Sequence, residues 1–188
     1  MLKLPPMDLF YVVVHLFGVA IGAGGAFVSD ALFLRSARDR VLSDDEIKLL
    51  NTVGVMVWLG LGLLVLSGIA MFLERPEELL NSVKFIAKMS IVLVIILNGI
   101  VFHTYHIPHM KRHVGKHMPK SSTFKKRSRF MLLSGSISVT SWLCAVLLGA
   151  LPSVPFTLVQ TLGLYCGLLI IVGILTQLFR PFILGIRH

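Results

Sequence analysis

The sequence predicts an all-α integral membrane bundle of about five transmembrane helices. Three observations carry that prediction. Hydrophobic residues make up 55% of the 188-residue chain, charged residues only 14%, and the mean hydropathy is +0.85. A water-soluble domain carries roughly 25% charged residues, so this composition cannot coat a compact globule. It excludes a disordered chain and an ordinary cytosolic enzyme. The apolar residues also fall into five runs near the ~20 residues that cross a ~30 Å hydrocarbon core. Finally, the formal charge of +9 collects mostly in one connecting segment, as on the cytoplasmic face of a membrane protein, so no nucleic-acid partner is expected.

The spans read as residues 9–34, 50–73, 85–106, 130–151 and 156–179 of a single membrane domain covering 1–188. The first, Leu9 to Leu34, is too long for a cleavable signal peptide and lacks its basic leader. Ahead of the second, Ser43-Asp44-Asp45-Glu46 forms a capping box, in which hydroxyl and glutamate satisfy free amides. The second helix is therefore expected to begin before its span and run as one rod through Asn51 and Trp58. Pro76 marks the next break. The third run is apolar from Phe85 to Phe102. On the fourth, Ser134, Ser138 and Ser141 share a face suited to hydrogen bonds across helices or to a polar cavity. Pro152 and Pro155 separate it from the fifth, whose Gly163 and Gly167 form a GxxxG packing motif. Cys144 and Cys166 lie in apolar runs with no CxxC pair, so neither a disulfide framework nor a zinc site is indicated.

Basic residues set the expected orientation. Arg35, Arg38, Arg40 and Lys48 follow the first span. Lys111, Arg112, Lys116, Lys120, Lys125, Lys126, Arg127 and Arg129 follow the third, without a single acid. The intervening connections are acidic (Glu74, Glu77, Glu78) or uncharged. Lys and Arg are retained in the cytoplasm, which predicts the N-terminus outside and the C-terminus inside. Arg180 and Arg187 agree. A prokaryotic inner (plasma) membrane is the expected location, with anionic lipid meeting the 111–129 segment.

Polar groups within spans are costly and point to function. They are His15, Asp30, Lys88, Asn98 and His103, with Gln160 and Gln177 near the ends of the fifth span. At ~1.5 Å of rise per residue they fall into two tiers. His15 and Lys88 lie toward the outer face, Asp30 and His103 toward the inner. His15 and His103 differ in depth by ~15 Å or more, so they cannot clamp one haem between them. A ligand on His15 would draw its other contacts from Lys88, Met89 or Met71. Asp30 and His103 form a candidate proton-handling couple, since a carboxylate orients imidazole; the alternative, slightly favoured, is that Asp30 simply reaches Arg35 or interfacial water.

Gly18, Gly22 and Ala26 recur every four residues beside Gly24-Gly25. Such a stripe admits either a neighbouring helix or a porphyrin face, and both readings stay open. His103, His106, His109, His113 and His117 recur every three or four residues and would line one side of a continuous helix. Eight surrounding cations disfavour a divalent metal there and favour anionic lipid.

The stretch His15-Leu-Phe-Gly18 followed by Gly24-Gly25 resembles the opening helix of the HemJ-type protoporphyrinogen oxidases and CopD-type copper-resistance membrane proteins. Lys88, at the start of the third span, is similar to a HemJ lysine, while the tryptophan those families carry between histidine and glycine is Ile21 here. The likeness covers the first three spans. It implies a small bundle binding haem b, with His15 as axial ligand and Lys88 beside the site as a candidate catalytic residue. The CopD branch implies instead Cu(I) on His15, Met71 and Met89, a soft-ligand set. The leading expectation is therefore a haem b protein in electron transfer or oxidation of a lipophilic, porphyrinogen- or quinol-like substrate, with a homo-oligomer or redox partner. A copper or proton transporter and a cofactor-free scaffold with a basic loop are the alternatives.

Overall fold

The computed structural model describes residues 6–39, 43–111 and 122–184. Among them the regular elements are all helical, and five helices are long and apolar enough to cross a membrane. The chain is an integral membrane protein. Its elements are α1 (Pro6–Asp39), α2 (Asp44–Glu74), a short α3 (Pro76–Leu80) and α4 (Val83–Val101). A π-helical turn (Phe102–His106) joins α4 to α5 (Ile107–Lys111), followed by α6 (Ser122–Ala150), α7 (Leu158–Leu178) and a short α8 (Arg180–Ile183). Arg40, residues 112–121 with His113 and His117, and Arg187 lie outside the described residues. So does most of the basic segment expected to meet anionic lipid.

Local chemistry explains where the helices start. The Ser43 hydroxyl accepts from the Glu46 amide at 3.2 Å, and the Glu46 carboxylate accepts from the Ser43 amide at 2.9 Å. This capping box starts α2 six residues before the predicted span. A second box opens α7, where Thr157 and Gln160 exchange the same bonds. Gln160 is thus a cap rather than a polar group within the hydrocarbon. Gln177 likewise serves an end, donating to the Arg129 carbonyl at 3.1 Å.

The closest helix pair is α1 with α2. A methyl on Gly60 would stand 2.3 Å from the Gly22 nitrogen and 2.5 Å from its Cα. One on Gly18 would stand 2.9 Å from the Leu64 nitrogen. Only residues without a side chain allow backbones to meet at this distance. Gly163 and Gly167 behave differently, since nothing lies within 4 Å of a Cβ on either. Within the described chain this GxxxG packs no helix, contrary to the expectation from sequence.

Helix α6 ties the bundle together through its serine face. The Ser134 hydroxyl donates to Asn98 Oδ1 on α4 at 2.8 Å, and Asn98 Nδ2 returns a bond to the Ser134 carbonyl at 3.1 Å. Ser138 donates to the Asp30 carboxylate on α1. Ser141 pairs with the Tyr165 hydroxyl on α7 at 2.8 Å. One apolar core joins Ala23, Ala26, Leu61, Leu64, Ile91, Ile95, Trp142 and Tyr165. A second, farther along α1, joins Phe33, Ile47, Leu50, Met110, Leu132 and Leu184.

Candidate functional site

Among the described residues, α1, α2, α4 and α6 wall two cavities that follow one another along the bundle. The first has a volume of about 370 Å³ and is lined by His15, Lys88 and Met89 among aliphatic and aromatic side chains. The second, about 50 Å³, is lined by Asp30, Asn98, His103, Ser29, Ser134 and Ser138, with Trp58 among the others. Ile95 and Trp142 belong to both linings and stand between them. Both are buried, at 4% and 2% exposure.

In the first cavity His15 is held by a hydrogen bond across to α2. Its Nδ1 lies 3.0 Å from the Ser67 hydroxyl. That hydroxyl has one proton, which it donates to the Leu63 carbonyl at 2.6 Å, with the Leu64 carbonyl at 3.2 Å. With the Ser67 proton so placed, the hydroxyl accepts from the imidazole, in the tautomer that carries its proton on Nδ1. Nε2 keeps its lone pair. A histidine ligand to a metal is arranged in this way, with the far nitrogen free and the near one held by a protein acceptor.

Lys88 enters the same cavity from α4, one turn after Lys84. The two lysines have different roles. Lys84 donates to the Gly149 carbonyl at 3.3 Å and also to the Leu151 carbonyl, closing the end of α6. For Lys88, no hydrogen bond or ion pair is found among the described residues. Its ammonium therefore faces a largely apolar space without a protein counter-charge.

The remaining expected site residues separate. Met89 lines the first cavity, but Met71 does not. Met71 lies one helical turn beyond Ser67, on the edge of α2 that faces α1. Of the expected soft-ligand set, His15 and Met89 line the first cavity and Met71 is not in its lining. Gly18 and Gly22 are not in that lining either. A Cβ on Gly18 meets the α2 backbone, and one on Gly22 meets the Trp142 ring at 2.6 Å. The α2 backbone and the Trp142 indole therefore pack beside these two glycines.

Asp30 and His103 line the second cavity together, yet no hydrogen bond between them is found among the described residues. Ser138 donates to the carboxylate, while Oδ2 is buried with no hydrogen-bond partner among the described residues. A Cβ on Gly135 would stand 3.2 Å from Asp30 Oδ1, so the bare backbone of α6 forms one side of the carboxylate's seat. His103 is exposed at the rim, and its Nδ1 would lie 3.9 Å from a Cβ on Gly54. The expected histidine stripe is broken at the π-helical turn. His106 is 1% exposed and sits among the rings of Phe102, Tyr105 and Phe130, at centroid distances of 5.8, 5.7 and 5.1 Å. No group of three His, Cys, Asp or Glu side chains converges among the described residues.

Two residues of the first site escaped the reading of the sequence. Ser67 had a signal, a hydroxyl inside the second span. Trp142 had none, because an aromatic side chain in an apolar helix does not reveal that two cavities meet at it. No family model, curated protein or solved structure matches the chain, and the likeness to HemJ and CopD gains no support from relatives.

Proposed function

We propose that this chain is a membrane haem b protein acting in electron transfer or in oxidation of a lipophilic, porphyrinogen- or quinol-like substrate. One observation carries the reading. A single, mainly apolar cavity contains an imidazole with a free Nε2 lone pair and an ammonium with no protein counter-charge. Those two groups match the two chemical needs of haem, an axial nitrogen for iron and a cation for a propionate. The volume falls within the ~300–1,000 Å³ of small-molecule and cofactor sites. Bound haem would supply one-electron redox chemistry at that position.

The chain's own residues do the rest. Ser67 holds the His15 ring by its Nδ1 proton and so fixes the direction of Nε2. Lys88 binds the anionic edge of the ligand and thereby sets its rotation within the cavity. The aliphatic walls exclude water, which strengthens both polar contacts. Met89 offers a thioether in the same lining. The distribution of basic residues supports an N-terminus outside, a C-terminus inside, and a first cavity in the outer half of a prokaryotic inner membrane.

The absorption spectrum of detergent-purified protein tests the proposal. A Soret band that shifts on reduction is expected, absent in His15→Ala and weakened in Lys88→Met. A folded protein that takes up no haem overturns the reading. Copper by metal analysis without a Soret band would favour transport, and neither signal would leave a scaffold.

A further inference from the structure

The second cavity contains the chain's most demanding unsolved charge. Asp30 carries a carboxylate whose Oδ2 is buried and has no hydrogen-bond partner among the described residues. Among the described residues, no Lys or Arg lines the pocket, and His103 at the rim is its only other titratable group. An uncompensated carboxylate in such surroundings costs several kcal/mol. Either a proton or a bound cation must offset it.

The neighbouring oxygens indicate what that is. The Ser138 proton goes to Asp30, and the Ser134 proton goes to Asn98 Oδ1. The two Asn98 amide protons sit on Nδ2, which bonds the Ser134 carbonyl. With those protons directed elsewhere, Ser134, Ser138 and Asn98 retain oxygen lone pairs, and Ser29 adds a further hydroxyl in the lining. We propose that this pocket binds one dehydrated monovalent cation, of the Na⁺ class, between the Asp30 carboxylate and these neutral oxygens.

Charge and size select the ion. One carboxylate neutralises one positive charge, whereas a divalent ion would leave a surplus charge in the hydrocarbon region. Divalent sites also draw on more carboxylates or retained waters. A volume of about 50 Å³ excludes an organic ligand. It would admit water, at roughly 30 Å³ per molecule, but water satisfies the hydrogen bond and leaves the charge. Entry is beside His103, the exposed member of the lining, at the π-helical turn where α4 changes register.

The chain contains two tryptophans, Trp58 and Trp142, and both line this pocket. Intrinsic fluorescence therefore reads the site directly. Purified full-length protein in detergent would be titrated with NaCl against N-methylglucamine chloride at constant ionic strength and pH. Fluorescence and thermal midpoint would be followed together. A saturable Na⁺-dependent change in both is expected, absent in Asp30→Asn and at least about tenfold weaker in affinity in Ser138→Ala. The absence of a saturable change, or an identical change in Asp30→Asn, overturns the site. So does an infrared carboxylic-acid band that Asp30→Asn removes and saturating Na⁺ leaves in place, because a proton then holds the position. If Asp30→Asn does not fold, Ser138→Ala decides, with unchanged affinity counting against the proposal.

Discussion

Around His15 the bundle encloses about 370 Å³ of largely apolar space, while around Asp30 the same four helices leave about 50 Å³ lined with hydroxyls and an amide. A single stripe on α6 accounts for much of the contrast. Ser134, Ser138, Trp142 and Val146 follow one another at four-residue spacing, so they share a face. The first two belong to the small cavity, the last to the large one, and Trp142 to both. Helix α4 repeats the pattern, with Met89 and Val92 before Ile95 and Asn98 and Phe102 after it. The polar groups on one side of this partition mostly bond to each other, whereas Lys88 on the other side has no such partner. The small cavity is suited to an ion and the large one to a ligand that supplies its own charge.

Removing the partition should produce the largest effect. Trp142→Ala is expected to cost about 3–5 kcal/mol of stability, as large aromatic truncations in cores do. It should also join the two spaces, so that any ligand of the first cavity alters the fluorescence of Trp58. Thermal unfolding in detergent measures the loss, and an unchanged midpoint would mean that Trp142 separates nothing.

Next in size is the seam that walls both cavities. Gly60→Ala forces its new methyl against the Gly22 backbone, and overpacking of this kind costs about 1–3 kcal/mol. Ligand signals of both cavities should weaken together. Gly24→Ala is the control, because nothing lies within 4 Å of a Cβ there. An equal effect from the two substitutions would show that the α1–α2 contact is not the cause.

A smaller effect is expected from Ser141→Ala, which unties α6 from the Tyr165 hydroxyl without touching either cavity lining. Interhelical hydrogen bonds of this kind average about 0.6 kcal/mol. Hydrogen exchange should rise in α7 while the properties of both cavities stay unchanged. The smallest effect belongs to Gly163→Leu, expected to stay within about 0.5 kcal/mol because its surroundings within the chain are open. A large drop in its unfolding midpoint would reveal a partner on α7.

Much of this arrangement could be read before the fold was known, although unevenly. The Ser43–Glu46 box was legible because a cap depends only on residues three apart. The Thr157–Gln160 box has the same spacing, but Gln160 was placed inside a span because the run around it is apolar. The rise per residue put His15 level with Lys88 and Asp30 level with His103, and each pair lines one cavity. The same arithmetic did not reveal that Asp30 bonds Ser138 rather than His103. It also did not reveal that Met89 lines the first cavity without Met71.

The amino-acid sequence by itself determined the membrane class, the number of apolar helices, their caps and the height of each polar group. All of these depend on composition or on distance along one axis. Rotation about that axis was decided only by tertiary packing. Gly18, Gly22 and Gly60 let α1 and α2 meet backbone to backbone, and across that seam His15 reaches Ser67. A helix presents a new side chain every 100°. Which of them faces a cavity depends on the neighbour that fills the other side, and no single segment contains that information.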